Sequence, residues 1–434
     1  MQEYLSLLRR NENYRYLWLG NVVSQLGDWF NLIAAAELIT ELSSSGVAIS
    51  YLFLARFLPL FLFSPLAGVL ADRYNRRNLM VISDVLRAVV VLGFLVVGVT
   101  GQVWVFYLLT VAQFALSALF TPARSAVVAM VVERRELVTA NALDSFTWST
   151  MLALGAFLGG VVAAVFGAET AFVLDSLTFV LSAWFISRIT LKVVRALPGE
   201  ESQGGWLDFV DGFRYLWGRP YLLILSLIKA TGSLVWGAVN VLEISFADNV
   251  FPFTMFPLAA TLQIEDGGTA SLGIIYVMSG LGTGLGPLFM RRALGSRPPR
   301  LILGATIGMV LVAAGIWGLA TAPTFGLFLL ATLVRTVGSG TMWVFSAVLL
   351  QIVVPDRYRG RVFAFEFAML TLTQSISTLL AGIFQDSPLW GLNQTALLFA
   401  GMGMLFSFGW ISFYSWSRRN STHARVQAFW YAGD

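Results

Sequence analysis

Cysteine is absent from the 434 residues, and histidine occurs once, at His423. The first absence removes disulfides, thiolate metal sites and thiol nucleophiles. The second removes a histidine metal cluster and a histidine-based proton relay. Lysine is nearly missing too, since only Lys192 and Lys229 occur, in LKVV and IKAT. A Walker A loop ends in Gly-Lys-Ser/Thr, so ATP-driven pumping by this chain is excluded. Charge of either sign is scarce, at 12% against 57% hydrophobic residues, where an ordinary soluble domain carries about 25%. A net charge of +4 on so long a chain is too weak to indicate nucleic acid. No clustered nucleophile, base and metal ligands suggest an enzyme, and no selectivity element suggests a channel. No cofactor is expected.

What is present is apolar sequence in runs long enough to span a bilayer. Twelve such runs are expected, from 15–41 to 394–416. Of the 28 Lys and Arg, all but Arg56, Arg87, Arg124, Lys229 and Arg335 fall in alternate connections or at the ends. Basic loops stay on the cytoplasmic side, so both termini are expected there. The start, MQEYLSLLRRNENYRYLWLG, lacks a short apolar core followed by a small-residue cleavage site. It reads as a retained cytoplasmic lead-in. The stretch SAVVAMVVERRELVTANALDSF from Ser125 returns as SAVLLQIVVPDRYRGRVFAFEF from Ser346, about half a chain later. Such a parallel repeat fits an all-α membrane protein of twelve transmembrane helices in two six-helix pseudo-symmetric halves. The expected organisation is an N-terminal bundle over 1–191, a cytoplasmic linker with an amphipathic helix over 192–219, a C-terminal bundle over 220–417 and a tail over 418–434.

GVLADRYNRR interrupts the apolar sequence on the cytoplasmic side, between the second and third runs. Gly68, Leu70, Asp72, Arg73, Arg76 and Arg77 match a Gly-x-Leu-x-Asp-Arg-x-x-Arg-Arg pattern, and here the chain resembles the major facilitator superfamily. Glycine permits close helix approach, an acid suits a helix N-terminus, and arginines bind carboxylates and helix carbonyls. The cluster is therefore expected to be a cytoplasmic gate latch. LGNVVSQLGDWFNLIAAAELI, ARFLPLFLFSPLAGVLADR and FTPARSAVVAMVV narrow the resemblance to the third drug–proton antiporter family, which includes macrolide and enterobactin exporters. Gly155, Gly159 and Gly160, in GAFLGG, resemble that group's fifth-span motif, with Ala156 where the motif has proline. They are expected to pack helices closely. The fourth-span arginine of drug–proton antiporters, which would fall near Thr110, is absent. FPFTMFPLAATLQIED, over 251–266, is longer than the family's corresponding loop, and no role is carried onto it.

Ionisable residues inside spans cost a few kcal/mol unless paired or wet, and mark function by default. Asp28 is the foremost: with Asn21, Ser24 and Asn31 it forms a polar stripe at helical spacing. The resemblance implies that spans one, four, seven and ten line a central cavity, and Asp28, Arg124, Lys229 and Arg335 fall on them. Asp28 is read either as a proton carrier or as a static ion pair with Arg56. Glu37 and Glu243, nearer the outer face, are further proton-coupling candidates. Arg56, Arg124, Lys229 and Arg335 are cavity or ion-pair candidates. Asp144 and Glu366, at matching places in the repeat, are expected gate contacts. Asp175 has no expected partner. Trp29, Phe30 and Trp236 are either packing residues or cavity lining.

The expected function is secondary active transport. Small amphipathic substrates, drugs above all, would be exported in exchange for protons by a monomer in the bacterial plasma (inner) membrane. A siderophore exporter or lysophospholipid translocator of the same fold is the transport alternative. A non-transporting membrane scaffold or sensor is the alternative from another class.

Overall fold

The computed structural model describes residues 2–43, 45–133, 136–191, 206–253, 266–295 and 297–419. Among these residues the chain is all helix and turn, without a strand. In a bilayer each backbone N–H and C=O must be satisfied within its own segment, which favours this outcome. The helices are α1 (Gln2–Arg10), α2 (Glu12–Leu42), α3 (Gly46–Arg73), α4 (Arg76–Thr100), α5 (Val103–Val131), α6 (Leu137–Ser187) and α7 (Trp206–Trp217). They continue with α8 (Pro220–Ser226), α9 (Ile228–Asn249), α10 (Gly267–Leu294), α11 (Pro298–Thr321), α12 (Phe325–Val353), α13 (Asp356–Gln385) and α14 (Leu392–Arg419).

Among the described residues, ten helical stretches are long and apolar enough to cross a membrane. The chain is thus a multi-pass membrane protein. α2 falls short of that apolarity because its stripe of Asn21, Ser24, Asp28 and Asn31 dilutes the hydrophobic residues. Length is no obstacle, since 31 residues rise about 46 Å. α6 has 51 residues, about 76 Å if straight, more than twice the ~30 Å hydrocarbon core. It is broken at Gly167, whose φ of 81° and ψ of 161° leave the helical region. Only glycine enters that conformation without strain.

The residues form two compact units. The first comprises Met1–Ser44, Ala55–Asp208 and Pro252–Tyr276, and the second Ser45–Leu54, Phe209–Phe251 and Val277–Asp434. In the first, α2 lies along α6, and α4 packs on both α5 and α6. Its apolar core includes Tyr14, Leu17, Met80, Phe120, Val127, Ile186 and Ile189. In the second, α11 packs between α12 and α14, and α13 lies along α9. There the Asp386 carboxylate caps the start of α3, accepting the Gly46 N–H at 2.8 Å and the Val47 N–H at 3.0 Å. A charged acceptor on orphan N–H groups at a helix N-terminus is among the stronger capping arrangements.

Candidate functional site

The first unit holds the densest set of buried charges. Asp28 lies mid-way along α2 and keeps partial exposure, while Asn21, Ser24 and Asn31 of its stripe are buried. Arg56, on α3, does not close an ion pair on Asp28. Its guanidinium donates to Asn31 Oδ1 at 3.4 Å and lies 4.4 Å from the centre of the Phe114 ring. The reason is one of register: Asn31 is one helical turn beyond Asp28, and the aromatic face holds the arginine there. Arg56 and Arg87 still act on Asp28 through space. A favourable field thus reaches the carboxylate without a contact fixing it.

Two features of this cluster were missed in the sequence. Asp84 and Arg87 form a buried ion pair on α4. The Ser182 hydroxyl donates to Asp84 at 2.7 Å, and Arg87 sits between the rings of Phe120 and Phe179. Their i,i+3 spacing was the available signal, since residues three apart on a helix are neighbours. Asp175, on α6, is fully buried and joins the same cluster, with Asp28, Arg87 and Arg56 as its charged neighbours.

Towards the C-terminal end of α5 and the N-terminal end of α6, Arg124 and Asp144 pair at 2.7 Å. Arg76 donates to the Met130 sulfur at 3.2 Å, and Arg77 donates to the Ile189 carbonyl at 3.1 Å. Ile189 follows the C-terminal end of α6, where a cation is favoured by the helix dipole. The side chains of Gly68, Asp72 and Arg73 lie outside the described residues, as do the 192–205 linker, the 254–265 loop and the tail with His423.

Gly155, Gly159 and Gly160 face close neighbours in the first unit. A methyl group on Gly155 would meet the Trp29 ring at 3.0 Å, and one on Gly159 would meet Phe30 at 3.2 Å. A Cβ on Gly160 would stand 3.0 Å from the Gly273 Cα, so two backbones touch there. Trp29 and Phe30 are thereby packed against α6, and the Trp29 ring also lies 5.5 Å from that of Tyr276. The Trp236 ring covers Gly232 of its own helix.

In the second unit, residues expected separately come together as pairs. Glu243 on α9 and Arg335 on α12 form a 2.6 Å ion pair, and Arg335 also reaches Ser279 at 3.3 Å. Lys229 and Glu366 pair at 3.1 Å, with the Lys229 ammonium 4.6 Å from the Trp343 ring centre. All four ionic groups are buried. Asp144 and Glu366 thus share an ion-paired state, although their partners come from α5 and α9. Glu37 is buried towards the far end of α2.

Buried charges strung along apolar helices mark functional sites in membrane proteins. The Major Facilitator Superfamily model matches residues 17–378. The chain belongs to that superfamily. It is 25% identical over 391 residues to the uncharacterized MFS-type transporter YfiS of Bacillus subtilis, covering 88% of each chain. It is 23% identical over 390 residues to macrolide efflux protein A of Streptococcus pyogenes, covering 88% of this chain and 91% of that one. In fold it resembles a mutant of the nucleoside transporter NupG, with a TM-score of 0.71 at 14% identity. That match covers 93% of this chain and 99% of NupG. These relatives and neighbours are membrane transporters, not enzymes, and this superfamily member is a transporter as well.

Proposed function

We propose that the protein is a proton-coupled exporter of small amphipathic compounds, drugs among them, which works by alternating access. One observation carries the reading. Asp84, Asp144, Glu243 and Glu366 each sit in an ion pair, whereas Asp28 accepts no hydrogen bond or ion pair among the described residues. It is partly exposed, sits mid-span, and feels two guanidiniums that do not touch it. A carboxylate so placed takes up a proton when its surroundings dry and gives it up when they become wet. Export is the direction favoured by the likeness to macrolide efflux protein A. A unit charge crossing 100 mV supplies about 2.3 kcal/mol, enough to hold a neutral compound at about a 50-fold gradient.

The proposal includes twelve spans in two six-helix halves. α2 counts as the first despite its polar stripe, and the break at Gly167 divides α6 into two. It also includes both termini in the cytoplasm of a bacterium, a monomeric unit, and the 68–77 motif as a cytoplasmic gate latch. The test is accumulation of a macrolide in a drug-susceptible bacterial host. Expression should lower accumulation, and an uncoupler should abolish the difference. Equal accumulation with and without well-expressed protein would contradict multidrug export and favour a narrow substrate such as a siderophore, or a lipid.

A further inference from the structure

Asp175 has no part in the reading above, yet its setting is unusual. Its side chain is fully buried, and among the described residues its Oδ2 has no hydrogen-bond partner. The Thr178 hydroxyl reaches Oδ1 only at 3.4 Å while bonding the Asp175 carbonyl at 2.7 Å. The carboxyl occupies space that a side chain at Gly27 would fill: a Cβ there would collide with Asp175 and Thr178. Asp28 is the next residue along α2. Asp28 from α2, Arg87 from α4 and Arg56 from α3 act on the Asp175 carboxyl through space, and Asn31 of α2 lies within reach of it. Asp84 is the partner of Arg87, and Tyr276 of α10 acts on Arg56 through space. The Asn31 amide lies close enough to act on the Asp175 carboxyl, though among the described residues its nitrogen completes no hydrogen bond of good geometry.

The charge count decides what this means. The cluster has three carboxyls, Asp28, Asp84 and Asp175, against two guanidiniums, Arg56 and Arg87. Arg87 is committed to Asp84, which among the described residues leaves Arg56 as the single cation for two acids. An unbalanced buried charge in a membrane core is costly, and a proton is the smallest ligand that removes it. Two carboxyls that cannot both ionise share one proton.

Resting on the reading of Asp28 as the coupling acid, we propose that Asp175 and Asp28 hold a single exchangeable proton between them, Asp175 being a second protonation site behind Asp28. Asp28 is partly exposed and exchanges with water; Asp175 is sealed and exchanges through Asp28. In the transfer one O–H bond breaks at Asp175 and one forms at Asp28, and the negative charge moves the opposite way. The carboxyl group on α6 thereby stores the proton while the carboxyl group on α2 delivers it.

The test is infrared spectroscopy of purified protein in detergent at neutral pH, reading the C=O stretch of a protonated carboxylic acid and its shift in D2O. Wild type should show the band. Asp175→Asn and Asp28→Asn should each lose it, because either substitution leaves two carboxylates against two guanidiniums. A band that survives Asp175→Asn would overturn the proposal, because another acid would then hold the proton. A band lost in Asp175→Asn but kept in Asp28→Asn would also overturn it, as a fixed neutral acid. Absence from wild type would do the same. Should Asp175→Asn fail to give a monodisperse protein, Asp28→Asn must still lose the band. No drug and no gradient enters the experiment, so these spectra and a failed drug-transport assay are separate results.

Discussion

Replacing Arg335 by methionine would leave the Glu243 carboxylate buried with no cation in contact. The two side chains are 9% and 3% exposed and pair at 2.6 Å, and Arg335 also donates to Ser279. Removing one partner of a buried pair costs about 3–5 kcal/mol, because the remaining charge keeps its desolvation penalty and loses its compensation. At about 1.4 kcal/mol per decade, that is roughly two to three and a half orders of magnitude in the folding equilibrium. Glu243→Leu should cost a similar amount by stranding the guanidinium. The double variant, Glu243→Leu with Arg335→Met, removes both charges, and apolar replacements of a buried pair are often neutral or stabilising. The assay is unfolding in detergent micelles for all four proteins, analysed as a double-mutant cycle. A large favourable coupling, with the double variant near wild type, is expected. With Asp28 proposed as the coupling acid, the rescued double variant should also retain gradient-driven transport. Additive losses would refute the pairing argument. A stable double variant without transport would show that Glu243 takes part in coupling.

Lys229→Met should destabilise by a similar amount through the stranded Glu366, and adding Glu366→Leu should recover most of it; thermal unfolding in micelles reads both. Gly160→Leu should drive α6 from α10, because an added Cβ would stand 3.0 Å from the Gly273 Cα, with an overpacking cost of about 1–3 kcal/mol. A melting temperature equal to wild type would contradict that contact. Asp386→Ala removes the cap of α3 at a cost of about 0.5–2 kcal/mol. Amide exchange at Gly46 and Val47 should accelerate, and unchanged protection there would rule the cap out. Arg124→Gln should weaken the Asp144 contact, but this pair is partly exposed and screened, so about 1 kcal/mol or less is expected in unfolding measurements.

The membrane character of the chain could be read from hydropathy because span length is a property of one continuous segment. So could the polar stripe of α2, since its spacing alone places Asn21, Ser24, Asp28 and Asn31 on one face. Pairing was harder. Lys229 and Glu366 are 137 residues apart and Glu243 and Arg335 are 92 apart, and their meeting depends on how each helix is rotated about its axis. The Asp386 cap joins positions 340 residues apart and leaves no local trace. Asp28 with Arg56 shows the converse: two opposite charges at matching depth suggested a contact, yet Asn31 and the Phe114 ring hold the arginine one turn away. Asp84 and Arg87 could have been found from i,i+3 spacing alone. Asp175 could not, because the feature that makes room for it is the missing side chain at Gly27 on another helix.

The most direct measurement uses purified protein in liposomes, an imposed pH step and a panel of lipophilic fluorescent drugs, with wild type beside Asp28→Asn. Drug movement should follow the pH gradient in wild type and cease in the variant while the variant remains folded. Gradient-driven movement unchanged in Asp28→Asn would contradict the account and make Asp28 structural.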